Sequence, residues 1–464
     1  MEFFFKCFKK NKNKKLFVTD DGKSITYAKF YNRSLILASY LFFKMGSLKN
    51  KRILVNMSRS YNYFIVISAL IKHGAIIIPI SNKLSLLEIN YIKKKYKPFA
   101  EINNDYLSKK NSSFVKKINN DNYAKIIFFT SGTTGKPKGI QHKISKLFLS
   151  AVQFSKLSSY NKKDTILHNW PHYYMAGFFN MFLCAIVSSS TIHFSEEIGV
   201  NTYLKYWRFL IKNKITKAYL SPTMAQALIS YSSYNKLPKN TKVNVDIFST
   251  GAYLYDNIHK NFQNTFGIKL NNCYGITEVG ASIALSNKNE SNFIGNLSKG
   301  VFIKLSKKKE IMVKSKFFFE GYINDKGLLK RFKKRYFNTG DLGKKIERDK
   351  YYIIGRNKEI IKKGGEQVSL LKIEDAALGF QKVEDVIAKG VKSEFWGEEI
   401  ELDVIFKKRK KIEINNDGKR NRILLGQLTS YLSHKLSKIE MPKNIRIVKS
   451  IPKTSIGKNY RQVF

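Results

Sequence analysis

Residues 126–139 read IIFFTSGTTGKPKG, an apolar strand-like run that enters ten residues of Thr, Ser, Gly, Lys and Pro. No other stretch of the chain limits the fold as tightly. Small residues let backbone N–H groups come close to an anion, hydroxyls add donors, and Lys136 and Lys138 add positive charge. The pattern is not a Walker A loop, because no G-x-x-x-x-G-K-[ST] can be read in it. A generic polar turn is the bland alternative, but TSGTTGKPKG at full length is rare by chance.

The surroundings of this loop alternate between helix-like and strand-like runs. Helical periodicity over 29–43 precedes a short strand at 52–56, a helix over 61–73 and a strand over 75–79 that Pro79 ends. After the loop come a strand at 217–220 with a helix over 222–230, and a strand at 243–249 with a helix over 255–266. Such alternation predicts an α/β architecture with mainly parallel sheet flanked by helices. From about residue 300 the pattern changes to short strands and turns, at 310–313 and 351–354. A further α+β segment, about 358–464, has helices at 371–378 and 423–436 and strands at 385–391 and 400–406. The best boundary lies near 355–358, which divides the chain into 1–357 and 358–464.

The 464 residues carry 84 Lys+Arg against 34 Asp+Glu, a net charge of +50. So large an excess invites a non-enzymatic reading, a basic protein that binds an anionic polymer such as nucleic acid. Yet only 13 of the 84 are Arg, and the lysines are spread along a chain rich in Asn, Ile, Phe and Tyr. Readers of nucleic acid favour Arg for bidentate contacts. Specific nucleic-acid binding is therefore not expected, while an acidic protein partner stays open. The three cysteines, Cys7, Cys184 and Cys273, have no paired or metal-type spacing, which fits a reducing, cytoplasmic setting. The opening FFF run lacks a signal-like apolar region. Between Thr165 and Ser195 there is no charged Asp, Glu, Lys or Arg, but only 175–188 reads as continuously helical and apolar. That is short of the ~20 residues a span needs, so at most peripheral membrane contact is expected.

Further motifs follow the loop in order: NCYGITE at 272–278, NTGD at 338–341, GRNKEIIKKGGE at 355–366 and PKTSIGKNYR at 452–461. With GKSITY at 22–27 and HGA at 73–75, this set resembles the acyl-CoA synthetase or adenylate-forming (AMP-binding) superfamily over essentially the whole chain. The resemblance implies a large, multi-subdomain N-terminal adenylation domain and a small mobile C-terminal α+β domain. It implies ATP-dependent activation of a carboxylic acid to an acyl-adenylate with release of pyrophosphate, then transfer to the thiol of CoA. A stand-alone enzyme loading an acyl carrier protein, acidic and so drawn to a basic surface, is the alternative.

By the same resemblance, Thr130, Ser131, Gly132, Thr133, Thr134 and Gly135, with Lys138, would hold the ATP phosphates. Glu278 would hold Mg²⁺, with the Thr130 hydroxyl as a second ligand, and Thr277 would touch the α-phosphate. Thr250, Gly251 and Ala252 fall where the family contacts adenine; Tyr274 and Gly275 continue that wall, the tyrosine offering a ring for stacking. Asp341 suits the ribose hydroxyls, with Arg356 assisting. Lys458 would bridge carboxylate and α-phosphate. Lys358 occupies the hinge, and Gly364 and Gly365 would line a path for the pantetheine thiol.

Departures from the family pattern concern the acid. The gating histidine position holds Tyr174, while His172 lies two residues earlier, and Tyr253 stands where proline is common. Acyl-pocket candidates are Tyr173, Phe178, Phe179, Met181, Met224, Ile276 and Ala281. No Asp stands where amino-acid-activating members hold the substrate ammonium, which favours a fatty or aromatic acid.

Overall fold

The structure is a computed structural model and describes residues 2–107, 118, 121–130, 138–235, 237, 243–286, 290–347, 350–407 and 417–453. Among the described residues the strands form four sheets. One is built on the parallel strands Ala100–Ile102, Arg52–Asn56, Ile76–Ile80 and Lys125–Thr130. Its edge turns antiparallel through Lys138–Lys143, Gly321–Ile323 and Leu329–Arg331. A second, larger sheet has the parallel run Thr165–His168, Lys217–Leu220, Asp246–Ser249 and Leu270–Ile276 at its centre, continued by the antiparallel Ala281–Ser286.

The helices between these strands follow from their sequences. Asn62–His73 connects two parallel strands and is buried over nearly its whole length, which is why its apolar run shows no polar face. Leu86–Tyr96 starts in a capping box between Ser85 and Glu88. Pro222–Ser230 starts with Pro at its first position behind the Ser221 cap.

Pro79 does not end its strand, which runs on to Ile80. A proline is tolerated there because the pairing with Lys125–Thr130 involves Ile76 and Ile77 only, so at Pro79 no donor is needed on that side. The uncharged stretch forms a π-helical turn, Gly177–Leu183, continued by the helix Cys184–Ser188, and is buried from Gly177 through Ile186. No helix among the described residues is long and apolar enough to cross a membrane. The opening phenylalanines lie in the helix Glu2–Lys10, where Phe4 and Phe8 are fully buried against Phe148 and Phe30. Burial of that kind is worth ~1.5–3 kcal/mol per side chain.

A four-stranded antiparallel sheet, Val301–Leu305, Glu310–Ser315, Phe337–Glu347 and Lys350–Arg356, closes the larger part of the chain. The chain then passes through a short 3-10 turn, Asn357–Glu359. Beyond it lies a separate sheet of Glu366–Ser369, Ile360–Lys363, Gly397–Phe406, Val383–Ser393 and Asn444–Ile447, backed by the helices Leu370–Leu378 and Asp417–Ser433. The family resemblance in fold is thus realised: mainly parallel α/β layers, then a smaller α+β unit.

Candidate active site

Strands Lys125–Thr130 and Lys138–Lys143 form a hairpin in which Thr130 and Lys138 face each other at the end where the connecting loop begins. The rest of the expected phosphate loop, including Ser131, Gly132, Thr133, Thr134 and Gly135, lies outside the described residues. On the far side of the hairpin, Tyr322 pairs opposite Ile140, which makes Lys138 its diagonal neighbour on the same face. The Lys138 ammonium sits 4.4 Å from the centre of the Tyr322 ring.

Glu278 belongs to the turn Thr277–Val279, directly after the strand Leu270–Ile276. The strand reaches that turn through a bulge between Tyr274 and Gly275. A Cβ at Gly275 would come within 2.7 Å of the Ala281 carbonyl, so glycine is required for the two strands to pair this closely. The Tyr322 hydroxyl donates to Glu278 Oε1 at 2.8 Å. Burial pushes the Glu278 carboxyl above its ordinary range, against the pull of the Tyr322 bond, Lys138 and Arg356.

Beside this carboxylate a pocket opens, walled by residues 251–254, 272–275, Asp341, Ile353 and Arg356. Asp341 and Arg356 are cross-strand partners, and Arg356 Nε lies 2.7 Å from Asp341 Oδ1. The Tyr274 hydroxyl donates to Asp341 Oδ2, also at 2.7 Å. Asp341 is almost fully buried, and its charge raises the Arg356 guanidinium pKa. Gly251, Ala252, Tyr274, Gly275, Asp341 and Arg356, all singled out from sequence, are therefore brought to one pocket. Thr250 is buried just behind it at the end of Asp246–Ser249.

The two gate candidates are separated by their surroundings. His172 is buried, with Nε2 3.3 Å from the Met57 carbonyl and its ring edge-on to Tyr63 at 4.5 Å. Burial and the nearby Arg59 depress its pKa to about 3. Tyr174 is only half-buried; burial pushes its hydroxyl up to about 12, and the charges it senses are Arg356 and Glu278. Tyr174 thus lies within electrostatic reach of both site charges, whereas His172 senses neither. Among the acyl-pocket candidates, Phe178, Phe179 and Met181 are fully buried on the helical turn behind it, and Met224 and Ala281 are nearly so.

Lys358 is exposed on the turn Asn357–Glu359. Gly364 and Gly365 are exposed at the end of the hairpin Ile360–Lys363 and Glu366–Ser369, where Gly364 lies against the Trp396 ring. The structure does not bring these three to the pocket. Lys458 lies outside the described residues. No group of three or more His, Cys, Asp or Glu among the described residues makes a cation cage. The chemistry of Glu278, a single half-buried carboxylate, fits a hard cation that takes most of its oxygens from nucleotide phosphates and water.

Tyr322 was not legible as a site residue. It lies 44 positions after Glu278, on a three-residue strand, and only the antiparallel pairing with Lys138–Lys143 brings it to the carboxylate.

Strand ends that converge on a tyrosine–aspartate–arginine pocket, next to a carboxylate and a cationic hairpin, define a nucleotide-binding class of α/β enzyme. Residues 4–113 and 94–322 match the model of the AMP-binding enzyme family, and residues 372–458 that of the AMP-binding enzyme C-terminal domain. The chain belongs to the AMP-binding enzyme family. It is 27% identical to a malonate–CoA ligase of Arabidopsis thaliana over 72% of this chain, and to a 2-succinylbenzoate–CoA ligase of Listeria innocua it is 26% identical over 95%. The match spans 59% of the Arabidopsis relative's length and 94% of the Listeria one's. In fold it is similar to ATP-bound MatB from Rhodopseudomonas palustris, with 20% identity and a TM-score of 0.81. It is equally similar to the o-succinylbenzoate CoA synthetase of Bacillus subtilis in complex with its acyl-adenylate intermediate, at 19% identity and 0.81. Both likenesses cover 98% of this chain and 96% of the other.

Proposed function

We propose that this chain is an ATP-dependent acid–thiol ligase. A carboxylate oxygen attacks the α-phosphorus of ATP, the bond to the bridging oxygen of pyrophosphate breaks, and acyl-adenylate and pyrophosphate result. A thiol sulfur then attacks the acyl carbon, the bond to AMP breaks, and the thiol proton leaves to solvent. The observation that carries the reading is the pocket itself. Tyr274, Asp341 and Arg356 present a buried acceptor suited to ribose hydroxyls; Glu278, which shares Tyr322 with Lys138, would take the phosphate side.

Two anions must meet in the first step, so positioning and positive charge supply most of the rate. Lys138 and the loop from Thr130 hold the terminal phosphates, Thr277 the α-phosphate, and Lys458 joins carboxylate to α-phosphate. Glu278 and Thr130 would hold Mg²⁺, which when bound neutralises phosphate charge. Tyr174 closes the acid side against water. Residues 358–464 act as a mobile unit turning about Lys358, which withdraws Lys458 and brings in Gly364 and Gly365 for the thiol. The relatives' names support CoA as that thiol; a carrier protein is the other acceptor the basic surface suits. The lack of an ammonium-binding Asp supports a fatty or aromatic acid.

Pyrophosphate exchange measured over fatty, aromatic, short dicarboxylic and amino acids tests the first step. Lack of exchange with every acid would sink the reading, as would a Lys458→Ala variant that exchanges normally. Offering CoA and a carrier protein in competition assigns the acceptor.

A further inference from the structure

We infer that Tyr322 is a positioning residue for the phosphate end of the nucleotide site, holding Glu278 and Lys138 in fixed relation. The inference rests on the ligase reading above and adds to it a residue that none of the sequence motifs contains.

Three contacts carry it. The Tyr322 hydroxyl donates to Glu278 Oε1 at 2.8 Å. The ring of the same side chain lies 4.4 Å beneath the Lys138 ammonium, where the negative face of an aromatic attracts a cation. Three residues earlier, the Phe319 backbone N–H donates to the Glu278 carbonyl at 3.0 Å. The segment that carries Tyr322 therefore grips Glu278 by backbone and side chain at once.

The tyrosine is itself held. Its strand, Gly321–Ile323, is paired on one side with Lys138–Lys143 and on the other with Leu329–Arg331. The Phe319 ring stands edge-on to it at 4.9 Å. A side chain fixed from both sides can transmit its position, and the two groups it touches are the ones that must agree in placement. Glu278 serves a cation and Lys138 serves phosphate, so their separation decides whether a metal–nucleotide complex fits both. A hydroxyl bonded to one carboxylate oxygen orients the group without using the other oxygen. The Asp341–Arg356 end of the pocket makes no such contact with Tyr322, so the contribution belongs to the phosphates and not to AMP.

The test compares the full-length protein with Tyr322→Phe and Tyr322→Leu in equilibrium binding of two probes. ATP with Mn²⁺ is followed by the Mn²⁺ resonance signal, and AMP alone by calorimetry. Tyr322→Phe keeps the ring under Lys138 but removes the donor, and losing a hydrogen bond to a charged group should weaken Mn²⁺–ATP by about ten-fold. Tyr322→Leu removes both contacts and should weaken it further. AMP binding should stay within about two-fold of wild type in both, and KM for Mg²⁺–ATP should rise more than kcat falls. Unchanged Mn²⁺–ATP binding by Tyr322→Phe would overturn the inference, as would equal losses for ATP and AMP, the mark of a merely structural residue. Should the leucine variant melt well below wild type, the phenylalanine variant decides alone. A wild-type protein that binds neither probe would overturn the ligase reading, and this inference with it.

Discussion

Asp341 and Arg356 stand directly opposite each other on adjacent antiparallel strands, with Arg356 Nε 2.7 Å from Asp341 Oδ1 and the Tyr274 hydroxyl on Oδ2. Both oxygens of a buried carboxylate are thus engaged, while each keeps a lone pair for a ligand hydroxyl. Asp341→Asn keeps the shape but removes the charge and turns one of the two acceptors into a donor. AMP and ATP affinity should both fall by at least ten-fold, measured by calorimetry, because the ribose is common to both. Arg356→Ala leaves the carboxylate buried with Tyr274 as partner and should also lower stability, by about 2 kcal/mol in a denaturant titration, the scale of a lost hydrogen bond to a charged group. Equal affinity for the Asp341→Asn protein would remove Asp341 from the ribose site.

Glu278 titrates above the ordinary carboxylate range because burial penalises its charge more than Tyr322, Lys138 and Arg356 relieve it. A protonated carboxyl holds no cation. Metal-dependent ATP binding should therefore weaken as pH falls through weakly acidic values, earlier than an ordinary glutamate would cause. AMP binding, which needs no cation, should not show that limb. Glu278→Gln should bind Mg²⁺–ATP poorly at every pH with the limb gone. A limb that persists in this variant would assign the titration to another group.

How much of this was legible beforehand follows from where the information sits. Residues 251, 252, 274, 275, 341 and 356 could be picked out because each lies in a short local motif, and local motifs survive reading one residue at a time. The fold was legible for the same reason, since the alternation around 52–80 and 217–266 is periodic. Pro79 misled because its tolerance depends on which neighbouring strand needs a donor, a pairing fact. Tyr322 was invisible for a like reason: its partner is 44 residues away and its strand has three residues. His172 and Tyr174, two residues apart, could be told apart only by their surroundings, which bury the first against Met57 and leave the second half-buried within reach of the Arg356 and Glu278 charges.

The buried histidines make acid stability a readable quantity. His142 and His172 titrate at about 3, both depressed first by burial, and His168 lies well below its ordinary value for the same reason. In the unfolded chain each would bind a proton near pH 6.5, so between 6.5 and about 3 the unfolded state holds more protons. Stability therefore falls as pH falls through this window, with a slope approaching ~1.4 kcal/mol per pH unit for each histidine. Above pH 7 the three contribute no slope. The melting temperature should drop from pH 6.5 to 5, and His172→Phe, which keeps a ring against Tyr63, should drop less steeply. An identical slope would show that carboxylates, not histidines, govern acid unfolding.

The last prediction concerns the contact between the two parts of the chain. Helix Asp256–Phe266 meets helix Leu370–Leu378 through Tyr255, whose hydroxyl donates to Glu374, and through Asn257. The Asn257 backbone N–H donates to Asp375 Oδ1 at 3.1 Å, and its side-chain amide to the Asp375 carbonyl at 2.6 Å and to Oδ1 at 3.1 Å. These bonds hold the smaller unit in one orientation, and a rotation about Lys358 must break them. Asn257→Ala removes the two made by the side chain, each worth ~0.5–1.5 kcal/mol. If rotation separates the two half-reactions, the barrier to leaving this orientation falls, and thiol transfer should gain several-fold relative to adenylation. Single-turnover release of pyrophosphate and formation of thioester, timed in the same sample, give that ratio. A variant that slows both steps equally would make the contact ordinary packing between fixed parts, and the mobile-unit reading would have to be given up.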